Sequence, residues 1–312
     1  MLGKKPLNPQ LCIYRKDIWI DRPCNFSILE MTVHFASPHD DPFQDPVSNL
    51  LIRKECKLEA NSRWASLTRA ELVAFASAQM ATQFRVFRFS VVVFAQWARF
   101  LRWDRAGVVV SKAFDFTRHP DWLAEFFWRY SHMLPTDRGE DLSVIYKVIE
   151  KEGIHPETKR PTIFTALLCK IYVPDDVEDA KVTQSVLDAP SNSLTPEENL
   201  SSESNDGHCL APPLEYTPQP LLGRCTRKLS AMYLKINSVR LLKDTWRVDE
   251  EGEVKEGDIL RGIDELGVIK LIRAGDVLDH RTITQSLANE PWACKVKDGG
   301  LVAHRHYRLL LE

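Results

Sequence analysis

The sequence predicts an α+β fold in two parts, and three observations support this prediction. In the N-terminal half, apolar segments typical of strands are flanked by segments with helical spacing. After residue 216, apolar segments follow the order strand, strand, helix, strand, strand. Between the two parts lies a stretch rich in Ser, Asn, Asp, Glu and Pro. We expect an N-terminal α+β domain at 1–174, a disordered acidic linker at 175–215, and a domain at 216–312 with an antiparallel sheet and one helix.

Elements of the N-terminal domain are predicted in chain order. Residues 27–35 alternate apolar and polar side chains, which indicates a strand. Thr68 and Glu71 form a capping-box pattern, so a helix should begin there and run to about Phe84. The further elements expected here are strands at 87–93, 98–103 and 108–114, a helix at 121–130, and helical or strand-like segments at 133–151 and 160–173. The aromatic side chains of 121–130 predict core packing, because base stacking would need a basic stripe nearby.

The C-terminal domain is predicted to begin with a hairpin. Residues 230–236 and 239–248 read as two strands around the Asn237-Ser238 turn. A helix is expected within 252–266, where Gly267 ends the helical spacing. Two more strands are expected, at 268–272 and 307–311.

Composition limits the classes of function. The 312 residues contain 41 Lys plus Arg and 43 Asp plus Glu, a balance that indicates neither nucleic-acid nor membrane binding. The N-terminus lacks the apolar stretch of a signal peptide, and the most apolar segment, 89–98, is too short to span a membrane. The seven cysteines form no C-x-x-C pair, which favours free thiols. We expect an intracellular protein, cytoplasmic or nuclear.

Lys243 and Glu256 are the residues whose spacing points to chemistry. Lys243 lies in the second hairpin strand, and Glu256 follows it by about thirteen residues at the predicted helix. A lysine held by a carboxylate in this way can orient the phosphates of ATP. Glu253 is an equally placed rival for Glu256. Gly223 and Thr226 precede Lys243 where a loop over the phosphates would lie, although a single glycine replaces the usual glycine-rich pattern.

Several motifs resemble those of the fungal-type protein kinase domain family and follow one another in the order found in that family. They are Arg102 to Ser111 with Phe114-Asp115-Phe116, Leu242 to Arg247, Lys255 to Ile259, and His304 to Leu309. The resemblance covers about residues 27–312. It implies a pre-kinase domain followed by a protein-kinase-like small lobe, with Glu256 on an αC-type helix. It also implies ATP with Mg as cofactor, bound through Lys243, Glu256, Gly223 and Thr226, and ATP-dependent phosphorylation of protein Ser/Thr as the family activity.

Two motifs only imitate catalytic ones. His304-Arg305-His306 has His where the Asp of H-R-D belongs, and Asp115-Phe116-Thr117 precedes Lys243, whereas D-F-G follows the lysine in kinases. The sequence stops at Glu312, where a kinase passes towards its hinge. We therefore expect a truncated, pseudokinase-like member without the large lobe, which binds ATP weakly or not at all and whose phosphate transfer is absent or extremely slow. The alternative is a non-catalytic scaffold that captures a protein partner or self-associates through an exposed small-lobe face.

Other clusters predict no catalytic or metal site. His39-Asp40-Asp41 precedes a proline and is ordinary turn chemistry. His304 and His306 lack a third metal ligand. Thr32 stands where a nuclease-like Glu-x-Lys pattern beginning at Glu30 would need lysine.

Overall fold

The structure is a computed structural model of the chain. It describes residues 7–16, 24–37, 40–45, 57–154, 161–177, 206–263, 265, 267–288, 290–291, 293–294 and 300–312, and the side chains of all these except 151–154 and 161–165. The chain forms two compact units, one of Met1–Leu142, Leu214–Cys225 and Arg281–His304, the other of Ser143–Pro213, Thr226–His280 and Arg305–Glu312. These units interleave along the chain, whereas the sequence-based division into 1–174, 175–215 and 216–312 used contiguous ranges. That division stays a prediction.

The first unit contains a six-stranded sheet. Its strands are β1 (Leu11–Ile13), β2 (Met31–Ala36), β3 (Arg88–Phe94), β4 (Trp97–Trp103), β5 (Val108–Val110) and β6 (Phe114–Asp115). They lie in the order β1-β2-β3-β4-β5, and β6 also pairs with β4. The β2–β3 pair is parallel and the other pairs are antiparallel. Helix α1 (Arg63–Thr82) lies between β2 and β3 in the chain, as a parallel connection requires.

Two helices cover opposite faces of this first sheet. Leu72 and Met80 of α1 pack in one buried cluster with Val92 of β3. Tyr130 of α2 (Pro120–His132) packs in a second cluster with Val91. Because successive strand residues point to opposite faces, Val91 and Val92 assign the two helices to different sides.

Several predicted elements of this unit agree with the structure within a few residues, including the strands at 87–93 and 98–103 and the helix at 121–130. The predicted start of α1 at Thr68 is wrong. The helix begins at Arg63, and the Ser62 hydroxyl caps it by accepting a hydrogen bond of 2.9 Å from the Ala65 N–H. Ser62 offers the same capping chemistry six residues earlier, so the longer helix leaves Thr68 in its interior.

The second unit contains a seven-stranded sheet. Its strands are β7 (Val144–Ile154), β8 (Pro161–Tyr172), β9 (His208–Ala211), β10 (Arg227–Tyr233), β11 (Ser238–Val248), β12 (Leu271–Arg281) and β13 (His304–Leu311). They lie in the order β12-β13-β11-β10-β9-β8-β7. The pairs from β7 to β11 are antiparallel. With two sheets and few helices, the molecule is consistent with the predicted α+β class.

Two features of the second sheet differ from the sequence-based expectation. Strands β7 and β8 were expected in the N-terminal half, but β9 joins them to the sheet of β10 and β11. Strand β9 lies within the predicted linker, whose residues 178–205 fall outside the described part of the chain. It is only four residues long, and its buried side chains, Cys209 and Ala211, are small. Such a strand leaves little apolar pattern in the sequence.

Other helical segments in the described part of the chain are short. They include a 3-10 turn at Thr136–Arg138, α3 (Glu256–Arg261) and α4 (Thr284–Leu287). Helix α3 is shorter than the predicted 252–266, because the backbone of Lys255 is still extended, with φ −71° and ψ 138°. Strand β12 begins at Leu271, not at Val268. In the described part of the chain, no helix has the length and apolar character needed to cross a bilayer.

Candidate functional site

Strand β11 presents two chemically different faces. Leu241 packs with Leu260 of α3 against a buried cluster that includes Tyr307 and Leu309. Lys243 is two residues from Leu241 and shares its face, since side chains alternate along a strand. Leu242 and Asp244 therefore point to the opposite face. Helix α3 thus lies on the face of the sheet that carries Lys243.

Lys243 and Glu256 form a close ion pair. The Lys243 Nζ lies 2.6 Å from both carboxylate oxygens of Glu256, the first residue of α3. Glu256, not the rival Glu253, holds the lysine. The side chain of Lys243 is 20% exposed and that of Glu256 is 40% exposed, so a ligand can reach the pair from solvent. The lysine is therefore fixed in direction while it remains accessible.

A direct contact links two of the four predicted binding residues, Lys243 and Glu256. Thr226 belongs to the same unit, directly before β10, and its hydroxyl lies 2.8 Å from that of Thr245, which shares the face of β11 with Lys243. Gly223 belongs to the first unit and has a φ of 85°. Its N–H donates a hydrogen bond of 2.9 Å to the Arg105 carbonyl. The nucleotide-binding role of the four residues stays a prediction.

Asp244 is the centre of a buried ion cluster on the other face of β11. Its Oδ2 accepts hydrogen bonds of 2.9 and 2.6 Å from the Arg227 guanidinium. Its Oδ1 lies 2.6 Å from His306 Nε2 and accepts a hydrogen bond of 2.8 Å from Arg308 Nε. Arg308 also donates to the Ser143 hydroxyl at 2.7 Å. The aspartate side chain is 1% exposed, so this cluster is sealed from solvent.

The electrostatics of the cluster keep Asp244 ionised. Burial alone would raise the pKa of Asp244, but Arg227, His306 and Arg308 outweigh it and hold the pKa well below its usual range. The ring of His306 also stacks on Trp246, with 4.9 Å between centroids and 6° between planes. His306, considered as a metal ligand from the sequence, is thus engaged in this packing. Because the cluster pairs Asp244 with two buried arginines, removal of the carboxylate would leave buried charges unpaired.

The other acidic residues singled out in the sequence are also engaged. Asp115 accepts hydrogen bonds from the Thr117 N–H and hydroxyl at 2.9 and 2.6 Å, as a turn residue does. Asp41 caps the Phe43 N–H at 3.0 Å and pairs with Arg99 at 2.6 Å.

Glu30 is likewise held within the first unit. Its side chain is 6% exposed, and its Oε2 lies 3.1 Å from Arg85 Nη2. The same oxygen accepts a hydrogen bond of 2.9 Å from the Tyr130 hydroxyl. Burial of that hydroxyl raises the pKa of Tyr130. Glu30, directly before β2, thus contacts α2 through Tyr130 and the chain before β3 through Arg85.

A second charge network next to α3 has no local signal in the sequence. Lys255 Nζ lies 2.5 Å from Asp176 Oδ2 and 2.9 Å from Asp276 Oδ2. Arg247 donates two hydrogen bonds of 2.8 Å to the two oxygens of Asp276. Lys255 and Asp176 are 79 residues apart, so residue spacing in the sequence could not predict their contact. The only available sign was the acidic pair Asp175-Asp176, which composition assigned to the linker.

A lysine on a sheet strand, held by a carboxylate that opens the adjoining helix, is the arrangement by which protein kinases hold ATP phosphates. Lys243 and Glu256 have these residue types and this placement. The family model described as fungal protein kinase matches residues 31–298. Because this match covers most of the chain, the protein belongs to the fungal protein kinase family. A comparison with curated proteins returned no match, and a comparison with solved structures returned none either.

Proposed function

We propose that these 312 residues form a nucleotide-binding module of the fungal protein kinase family. In this proposal Lys243 contacts the phosphates of ATP, and Glu256 keeps the lysine pointing at them. The observation that carries the proposal is the bidentate contact of 2.6 Å between the two side chains on the exposed side of β11. A lysine whose orientation is already fixed needs no reorganisation when the phosphate binds, which favours binding.

Magnesium would complete this site when ATP is bound. Glu256, the carboxylate next to Lys243, is paired with the lysine. In kinases the ion bridges phosphate oxygens and neutralises their charge. The contribution of this chain's own residues is the positive charge of Lys243 and, as proposed, the hydroxyl of Thr226 and the backbone at Gly223.

We propose further that these 312 residues bind nucleotide without transferring phosphate. The family activity is ATP-dependent phosphorylation of protein Ser/Thr, and that chemistry needs a catalytic aspartate and metal-binding carboxylates after the lysine. The sequence after Lys243 contains neither H-R-D nor D-F-G. His306, which stands at the position of the aspartate in H-R-D, contacts Asp244 at 2.6 Å and is 3% exposed.

Binding of a fluorescent ATP analogue with Mg²⁺ tests the proposal. Lys243→Met is expected to weaken binding about tenfold or more, since a charge-assisted contact contributes about 1.5–3 kcal/mol. Glu256→Gln should weaken it less, because the lysine keeps its charge. Lys147→Met, which removes an exposed lysine of β7 in the same sheet, is the matched control and should leave affinity unchanged. Equal affinity of wild type and Lys243→Met would contradict the proposal.

A scaffold role is the second candidate, and exposed apolar side chains around α3 favour it. Val254 is 65%, Ile259 50% and Ile263 40% exposed. Exposed apolar clusters of this kind favour association, and here we propose a second copy of this chain as the partner. Size-exclusion chromatography with light scattering should show a concentration-dependent dimer that Ile259→Lys abolishes. A monomer at every concentration would contradict this role.

A further inference from the structure

Helix α3, which carries Glu256, is too short to fix its own position. It has six residues, whereas isolated helices below about 12–15 residues are marginal in water. Its buried residue is Gly257, and Ile259 is half exposed. Contacts from elsewhere in the second unit must therefore determine where Glu256 lies.

One such contact is the close approach of α3 to the sheet at Gly257. A Cβ added at Gly257 would lie 2.6 Å from the Cβ of Ala274 and would also collide with the Tyr307 hydroxyl. The glycine therefore lets the helix lie close to β12 and β13, and Leu260 packs against the same cluster of Ala274, Tyr307 and Leu309. Charged contacts at both ends of the helix add to this packing.

Both ends of α3 are attached to the same short segment of chain. At the start of the helix, Lys255 Nζ lies 2.5 Å from Asp176 Oδ2. At its end, Arg261 Nη2 lies 3.1 Å from Asp175 Oδ1 and donates to the Ala274 carbonyl at 3.1 Å. Asp175 and Asp176 are adjacent, so two neighbouring carboxylates hold the residues that flank Glu256 on either side.

The segment that carries these carboxylates is itself fixed on β12. Asp176 Oδ1 accepts a hydrogen bond of 3.0 Å from the Asp276 N–H. A Cβ added at Gly275 would lie 2.7 Å from Asp176 Oδ1 and 2.8 Å from the Cβ of Pro174, so only glycine lets the segment pack so closely. Asp276 adds a second acceptor for Lys255 at 2.9 Å. The attachment is therefore anchored to the sheet and not to a free loop.

We propose that Asp175 and Asp176 are positioning residues, which hold both ends of α3 and so keep Glu256 within reach of Lys243. This inference rests on the proposed function only in assigning the Lys243–Glu256 pair to nucleotide binding. The charges agree with it. Burial alone would lower the pKa of Lys255, but its hydrogen bonds to Asp176 and Asp276 outweigh burial and raise it. The lysine end of the attachment thus stays charged.

The chemical reactivity of Lys243 tests the inference without any nucleotide. Acylation of each lysine by an N-hydroxysuccinimide ester is followed by peptide mass spectrometry, and amide hydrogen exchange is followed across α3. In Asp175→Asn/Asp176→Asn, both acylation of Lys243 and exchange of α3 should rise about fivefold, because the carboxylate that covers the amine is displaced. Glu251→Gln, which neutralises an exposed acid of the same unit outside this network, should change neither.

Further variants keep the outcome decisive. If the double variant does not fold, Lys255→Gln breaks the contact from the helix side and should raise the same two rates, whereas Lys255→Arg should restore them. Unchanged rates in the folded variants would overturn the inference. An equal rise in the acylation of Lys147 and in the hydrogen exchange of β7 would also overturn it, because the variants would then loosen the whole unit. If the wild type binds no nucleotide while acylation of Lys243 still rises in the variants, the proposed function alone is overturned.

Discussion

The two faces of β11 carry two charge clusters that differ in their access to solvent. On one face, Lys243 contacts a single carboxylate, and the side chains of the pair are 20% and 40% exposed. On the other face, Asp244 is 1% exposed and bonded to Arg227, His306 and Arg308. Adjacent residues of one strand thus separate an open pair from a sealed cluster. Accessibility, more than the number of ionic contacts, therefore distinguishes the two faces, and solutes can reach the open pair but not Asp244.

Removing the charge of Asp244 is the change with the largest expected effect. Asp244→Asn leaves Arg227 and Arg308 buried without their carboxylate, and breaking a buried ion pair costs about 3–5 kcal/mol. We expect the free energy of unfolding, measured by urea denaturation, to fall by about that amount. A loss below about 1 kcal/mol would show that the cluster is solvated and would remove the contrast between the two faces.

Acidification should act on the sealed cluster next. The folded-state pKa of Asp244 is lowered, so its contribution to stability is complete above the unfolded pKa and is lost as pH falls through the folded value. Burial alone would raise the pKa of Asp276, but its hydrogen bonds with Arg247 and Lys255 lower it. Asp276 therefore adds to the loss of stability in acid. Urea denaturation should therefore show stability falling below about pH 4, near the ordinary pKa of aspartate.

The comparison variant in this series is Asp244→Asn. It lacks the titrating carboxylate, so its free energy of unfolding should depend less steeply on pH over the acidic range than that of the wild type. The remaining slope reports Asp276 and the other paired acids. Parallel pH dependences for the two proteins would mean that Asp244 does not lose its charge-dependent stabilisation in this range.

The sequence predicted the open pair better than the sealed cluster, and the reason is distance along the chain. Lys243 and Glu256 are thirteen residues apart, within one strand-to-helix segment whose apolar pattern was readable. Arg227 faces Asp244 across the predicted hairpin, but His306 and Arg308 lie 62 and 64 residues away on β13. Local spacing carries no information about these last two pairings, which strand order creates.

The same argument applies to the fold. Apolar segments next to turn residues located β3, β4, β10 and β11, because these signals are local in the sequence. Strands β7 and β8 join the second sheet through β9. The pairing of Cys169 with Ala211 in that junction is a long-range contact, which local sequence patterns do not predict. The positive φ of 50° at Asn237 does agree with the predicted Asn-containing hairpin turn, since turn chemistry is local.

The smallest stability effect is expected at the open pair. Glu256→Gln removes an ion pair whose partners are partly exposed, and such pairs contribute less than about 1 kcal/mol because solvent screens them. Measured beside Asp244→Asn in urea, this variant should unfold almost as the wild type does, while its affinity for the fluorescent nucleotide falls. A stability loss as large as that of Asp244→Asn would place Lys243 and Glu256 among the structural ion clusters. The face of β11 that carries Lys243 would then be no better a candidate for ligand binding than the face that carries Asp244.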